Sequence, residues 1–119
     1  MTHDQLAGEW RDLLARHART TSALDRELSE RHGLGMSEFE VLEQLAAVDT
    51  CRVQQLVGNV HLSQSALSRA VARLEADGLV ERAICPEDRR GISVCLTDAG
   101  RARHAEARPT HRRVLEETL

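Results

Sequence analysis

The chain has 119 residues and a net charge of −3. This length predicts a single domain with a modest core, spanning residues 1–119. With 29% charged residues, the sequence contains no signal peptide and no apolar run of membrane length, which predicts a cytoplasmic protein without a membrane span.

The first predicted element is a long amphipathic helix over residues 4–31. Its apolar side chains recur at steps of three and four residues, the period of a helix that buries one face. The sequence HGLG at His32–Gly35 ends it. One small domain cannot bury all of these side chains, so we expect part of the helix to meet a partner. They are Leu6, Trp10, Leu13, Leu14, Leu24 and Leu28.

Two shorter helices are predicted next. The sequence SEFE at residues 37–40 fits a capping box, with Met36 and Val41 as the hydrophobic staple around it, so the second helix should begin at this point. A short strand is expected near residues 51–53, followed by a third helix over about residues 54–60.

The fourth predicted helix carries the most informative pattern. Ser63 suits its N-cap, and Gly78 suits the left-handed residue after its last turn. At about 100° per residue, its apolar and polar side chains fall on opposite arcs. Arginine, serine and glutamine can bond base edges and phosphates, so the polar arc predicts a DNA-reading helix; an ordinary solvated face is the alternative. The apolar arc holds Leu67, Val71 and Leu74, and the polar arc holds Ser65, Ser68, Arg69, Ala72 and Arg73.

Two runs rich in β-branched residues, 79–84 and 92–96, predict a hairpin behind that helix. Between them lies CPEDRRG, whose proline and glycine bound a turn. A narrow minor groove attracts inserted arginine, and a carboxylate such as Asp88 can hold a guanidinium with a forked hydrogen bond. Alone, this loop would be a solvated charged turn, but behind a polar-faced helix it indicates a wing that contacts DNA.

The stretch SQSALSRAVARLEADGLVERAICPEDRRGISVCLTDAG, residues 63–100, resembles the helix–wing core of the MarR family of bacterial transcriptional regulators. The D-x-R of Asp88–Arg90, the pair Leu96–Thr97 and the D-A-G after it match the family's pattern, and a weaker resemblance covers residues 6–115. The resemblance implies a mainly α fold with a small β-wing. A winged helix-turn-helix (37–97) would be flanked by an N-terminal (4–31) and a C-terminal (98–119) dimerisation helix.

The family resemblance also implies a function. Its members are homodimers that bind a pseudo-palindromic operator in double-stranded DNA, usually as repressors released by a small phenolic or lipophilic effector, by oxidation or by a metal. The effector pocket would lie between the first, second and last helices, near His17. In the wing, Arg90 would enter the minor groove, Asp88 would brace it, and Arg89 would lie by the DNA backbone. The residues that would face the major groove are Ser63, Gln64, Ser65, Ser68, Arg69 and Arg73.

Charge and residue chemistry leave two alternatives. Residues 61–103 contain seven arginines against six acidic residues, so the predicted reading surface is only slightly positive. The acidic total favours a winged-helix module that binds protein and not DNA. An enzyme would need a nucleophile–base pair or a metal cluster, and the sequence shows neither at a recognisable spacing, so no catalytic residue or cofactor is predicted.

The cysteines and histidines are candidate redox and metal-binding residues. Cys51, Cys85 and Cys95 lack CxxC spacing and are expected to be reduced in the cytosol. Redox sensing is the alternative, although the sensing thiol of related proteins lies in the first helix, which has none here. His104 and His111 lie two helical turns apart and can share a face. We expect scattered surface histidines there and no metal site.

The C-terminal segment is where the sequence departs from the family. Thr97 and Asp98 suit the start of a last helix, and Pro109 is expected to break or kink it. Family members usually continue into a further helix that interlocks with the partner, which predicts a different dimer interface here. It would be formed by Leu6, Trp10, Leu13, Leu14, Val114 and Leu115.

Overall fold

The computed structural model describes residues 1–48, 50–84 and 92–119. Within these residues, five helices and a three-stranded sheet form a mainly α fold with a small β-wing, which confirms the predicted fold class. In chain order these elements are α1 (His3–His32), α2 (Met36–Ala47), β1 (Thr50–Arg52), α3 (Val53–Asn59), α4 (Gln64–Ala76), β2 (Val80–Ile84), β3 (Ile92–Leu96) and α5 (Asp98–Thr118).

The sheet is antiparallel with strand order β1-β3-β2. Strands β2 and β3 form the predicted hairpin, with Val80 opposite Leu96 and Ile84 opposite Ile92. Val94 and Leu96 are buried, and they occupy alternate positions that point to the same face of the strand. The hairpin is therefore anchored in the core at the end nearer α4 and α5.

Helix α1 runs antiparallel to α5. It ends at Gly33, whose φ of +66° is left-handed, as the HGLG sequence predicted. Leu24 and Leu28 are buried in the core. Near the far end of α5, Arg19 donates a hydrogen bond to the Thr118 carbonyl oxygen at 3.0 Å. The part of α1 before Arg19 thus extends beyond the α5 contact.

The predicted start of α2 was wrong, because its N-cap lies two residues before Ser37, and the predicted capping box is not formed. The helix begins at Met36. Its N-cap is Gly35, which has no side chain to accept a hydrogen bond from the first turn. Instead, Asp25 of α1 accepts a hydrogen bond from the Met36 backbone N–H at 3.0 Å. A carboxylate from another helix therefore satisfies one of the free donors of the first turn.

Helix α5 begins as predicted. The Thr97 hydroxyl accepts from the Gly100 backbone N–H at 3.0 Å and donates to the Gly78 carbonyl oxygen at 2.7 Å. Gly100 lies against the backbone of Leu79. A Cβ at Gly100 would approach the Leu79 carbonyl oxygen to 2.0 Å, so a side chain does not fit at this position. This contact brings α5 tightly onto the start of the hairpin.

Two further expectations for α5 concern Pro109 and Val114. The helix continues through Pro109 and does not break there. Val114 is only 1% exposed and belongs to the core, so it is not available to a partner chain. Leu115 is partly buried against the same core.

The histidines of α5 were expected at the surface, and that was also wrong. His104 and His111 share one face of α5, as their spacing allowed, but both are largely buried and stack on Phe39 of α2. Their ring centroids lie 5.5 Å and 4.4 Å from that of Phe39. Within the described residues, no group of three or more His, Cys, Asp or Glu side chains could hold a metal ion.

An ionic contact also joins α2 to α5. Glu43 accepts hydrogen bonds from Arg112 at 2.6 Å and from His104 at 2.8 Å. Burial alone would raise the pKa of Glu43, but these two partners together hold that pKa below its usual value.

In the described part of the chain, no helix is long and apolar enough to cross a membrane.

The double role of the Thr97 hydroxyl generates a stability prediction. Thr97→Ala should lower the free energy of unfolding by about 1–2 kcal/mol, because it removes an N-cap and leaves the Gly78 carbonyl without its donor. Thr97→Ser keeps the hydroxyl and should retain most of the stability. Urea unfolding followed by circular dichroism measures both variants, and equal losses would show that the methyl group matters and the hydroxyl does not.

Candidate nucleic-acid interface

Helix α4 is fixed in the core by one face. Leu67, Ala70, Val71 and Leu74 are each no more than 1% exposed. They pack chiefly against α2 and β2. Because these side chains recur on one face of the helix, the opposite face must point outward.

Both ends of α4 have the predicted caps. The Ser63 hydroxyl accepts from the Ala66 backbone N–H at 3.1 Å. Gly78 has a φ of +74°, and the Leu79 N–H returns to the Leu74 carbonyl oxygen at 2.9 Å. Leu79 is 2% exposed, so the chain leaves the helix directly into the core.

The outward face of α4 carries the predicted reading residues. All six of the predicted α4 side chains are exposed and lie along one helix and its cap. Arg69 makes no hydrogen bond or ion pair with any described residue, and its guanidinium donors are therefore available to a ligand. The six residues are Ser63, Gln64, Ser65, Ser68, Arg69 and Arg73.

Two ion pairs near α4 were not predicted. Arg73 Nε lies 3.2 Å from Glu38 Oε1 of α2, and Arg82 Nε of β2 lies 3.5 Å from Glu75 Oε1. The first joins α4 to α2 and the second joins it to the wing. Glu38 occupies a spacer position of the predicted capping box, between Ser37 and Glu40, and no local sequence signal indicates its ion pair with another helix.

The wing is described only at its base. Asp88, Arg89 and Arg90 lie outside the described residues, and so does Cys85. Cys95 is a free, half-buried thiol that contacts the Glu81 carbonyl oxygen at 3.8 Å.

A cavity of about 250 Å³ lies beside the turn that precedes α4. The effector pocket had been expected between the first, second and last helices. This cavity instead lies between α1, α2 and the turn that precedes α4, although it does include His17. Its lining residues are His17, Thr21, Leu24, Met36, Glu40, His61 and Leu62.

These elements define the class of protein. Helices α3 and α4 are joined by a short turn, α4 exposes a polar face, and the β2–β3 hairpin follows at once. This is a winged helix-turn-helix.

Comparison with known proteins identifies the family. The MarR family model matches residues 34–92. A MarR family transcriptional regulator from Silicibacter pomeroyi is 31% identical, with a TM-score of 0.75, and the match covers 88% of this chain and 70% of that one. Sco3205 of Streptomyces coelicolor, a MarR family regulator solved in complex with DNA, is 29% identical, with a TM-score of 0.90, covering 100% of this chain and 76% of that one.

A third relative is YdgJ of Bacillus subtilis (strain 168), an uncharacterized HTH-type transcriptional regulator. It is 33% identical over 87 residues, which are 73% of this chain and 53% of YdgJ. The present chain thus spans about half the length of that relative. The chain belongs to the MarR family, whose members are transcriptional regulators and not enzymes.

Proposed function

We propose that this protein binds a pseudo-palindromic operator in double-stranded DNA as a symmetric homodimer. It represses transcription in the cytoplasm until a small-molecule effector releases it. The observation that carries the proposal is the exposed polar face of α4, on which Arg69 pairs with none of the described residues, on a helix held rigidly by its opposite face. A recognition helix of this class lies in the major groove and contacts base edges from its N-terminal part.

The proposed roles divide along α4. Gln64, Ser65 and Ser68 lie toward its N-terminal end, where short polar side chains reach base edges, and Arg69 can fork onto a guanine. The Ser63 hydroxyl oxygen already accepts the N-cap hydrogen bond from the Ala66 backbone N–H. Its O–H group can still donate a hydrogen bond to a phosphate oxygen. The relative Sco3205 was solved with DNA, which supports the same use of this fold here.

The proposed dimer rests on the projecting half of α1. Its apolar side chains are about half exposed, and they form one stripe on the helix, with His17 beside it. Such a stripe on a polar helix indicates an interface. A second copy of α1 offers the same stripe, so a two-fold contact would cover both. The stripe consists of Leu6, Trp10, Leu13 and Leu14.

The proposed effector site is the cavity between α1, α2 and the turn that precedes α4. It combines apolar walls from Leu24, Met36 and Leu62 with polar groups from His17 and His61. That mixture suits a small molecule with an apolar body and one or two polar substituents. Since the cavity touches α1 and the turn before α4, a bound ligand could change how α4 is presented.

The first functional prediction concerns Arg69. On a duplex selected from a random-sequence pool, Arg69→Ala should lower affinity by about 1–3 kcal/mol, the discrimination expected of a bidentate base contact. Binding to an unselected mixed-sequence duplex should fall less. Arg108→Ala removes the same charge from an exposed site on α5 and is the matched control. Fluorescence anisotropy measures the affinity of the wild type and of both variants for each duplex, and unchanged binding of Arg69→Ala to both duplexes would refute the assignment of α4.

The second concerns assembly. Sedimentation at micromolar concentration should show a dimer, and Leu13→Glu should convert it to a monomer because a carboxylate would be buried in the interface. Ala15→Glu places the same group on the opposite, exposed side of α1 and should leave the dimer intact. In the dimer, the two α4 helices should lie roughly 34–36 Å apart, one DNA turn. A wild-type monomer with and without DNA would contradict the proposal.

The third concerns the wing and rests on the sequence. Arg90→Ala should weaken binding and reduce the log–log salt slope by about 0.9 or less. If Asp88 braces Arg90, Asp88→Ala should also weaken binding, because the freed arginine must be ordered on DNA. Glu87→Ala removes the same charge one residue away and should tighten binding. If Asp88→Ala tightens it as well, Asp88 acts only through its charge.

A further inference from the structure

The ion pair between Glu38 and Arg73 joins the reading helix to the helix beneath it. The Glu38 side chain is 13% exposed, whereas that of Arg73 is 61% exposed. One partner is thus held within the protein and the other reaches into solvent. On the side of Glu38, Arg73 borders an open polar recess of about 460 Å³ that the carboxylates of Asp25 and Glu38 also line, so an anion would approach the guanidinium from its solvent side.

The position of Glu38 is fixed by the start of α2. Asp25 of α1 holds the Met36 N–H, and Gly35 precedes it as N-cap. The Glu38 carboxylate lies so close over Gly35 that a Cβ there would approach Glu38 Oε2 to 2.0 Å. The absence of a side chain at Gly35 is therefore what allows Glu38 to lie where it meets Arg73.

We propose that Glu38 is a positioning residue for DNA binding, which holds the Arg73 guanidinium ready to receive a phosphate of the DNA backbone. The proposal rests on the proposed function and names one determinant of its affinity. The ion pair uses Arg73 Nε. The two Nη nitrogens carry four further N–H donors, enough for two bonds to phosphate oxygens.

Simple electrostatics predicts the opposite effect. A carboxylate near DNA repels phosphate, so removing Glu38 would tighten binding if charge alone mattered. Positioning predicts weaker binding, because an unheld arginine loses more conformational freedom when it meets DNA. Since Arg73 would contact phosphate and not a base, the effect should be the same on every DNA sequence.

The experiment compares two substitutions that disturb Glu38 in different ways. Glu38→Gln removes its charge, and Gly35→Ala displaces its carboxylate without changing any charge. Gly35 has a φ of −70°, which alanine adopts without strain. Each variant should bind both a selected and a mixed-sequence duplex about twofold to tenfold more weakly than the wild type. Asp77→Asn, which removes one charge at the exposed end of α4, is the control and should bind slightly more tightly.

The decisive measurement is the DNA affinity of the same two substitutions, Glu38→Gln and Gly35→Ala, in a protein that also carries Arg73→Ala. If Glu38 acts through Arg73, neither should weaken binding further, and Arg73→Ala alone should lower the salt slope by about 0.9 or less. An equal loss in that background would mean that Glu38 only supports the fold, and thermal unfolding would show it. Tighter binding by Glu38→Gln, or unchanged binding by Gly35→Ala, would overturn the positioning role while leaving DNA binding intact. Failure of the wild type to bind either duplex would overturn the proposed function and this inference with it.

Discussion

The burial of one face of α4 is the constraint on which the reading surface depends. Leu67, Val71 and Leu74 are almost fully buried, and each such side chain contributes about 1.5–3 kcal/mol. A rotation of α4 by one residue position would turn a buried leucine toward water. The direction of the polar face is therefore decided by the core, and the caps and the ion pairs to α2 and β2 only refine it.

This dependence explains which features could be predicted from the sequence. The periods of α4 and of the second half of α1 come from burial on one side, and both helices appeared where their patterns indicated. Ser63 and Thr97 cap their own helices through residues three positions ahead, so both caps were visible locally. The start of α2 was not, because its cap comes from Asp25, eleven residues away on another helix.

The same distinction applies to the candidate site. The exposed residues of α4 followed from the angular pattern of one helix, and the structure brings all six of them together. The partners of Arg73 and Arg82 depend on how separate elements dock, which no local pattern records. His104 and His111 were misjudged for this reason, since their burial comes from Phe39, more than sixty residues earlier in the chain. The burial of Val114 likewise follows from the docking of α5 along α1.

The close approach of Gly100 to Leu79 changes what the D-A-G sequence means. This short motif is part of the family resemblance, and it directly follows the wing strand β3, which suggests a role in DNA recognition. Its glycine lies instead where two backbones touch, because any side chain would push α5 away from the hairpin. The motif therefore records a limit on the spacing of two elements, independent of the operator sequence that a given relative recognises. The motif therefore carries no information about which genes a regulator controls. A chain with a side chain at this position would need a different packing of α5 against the hairpin in order to fold.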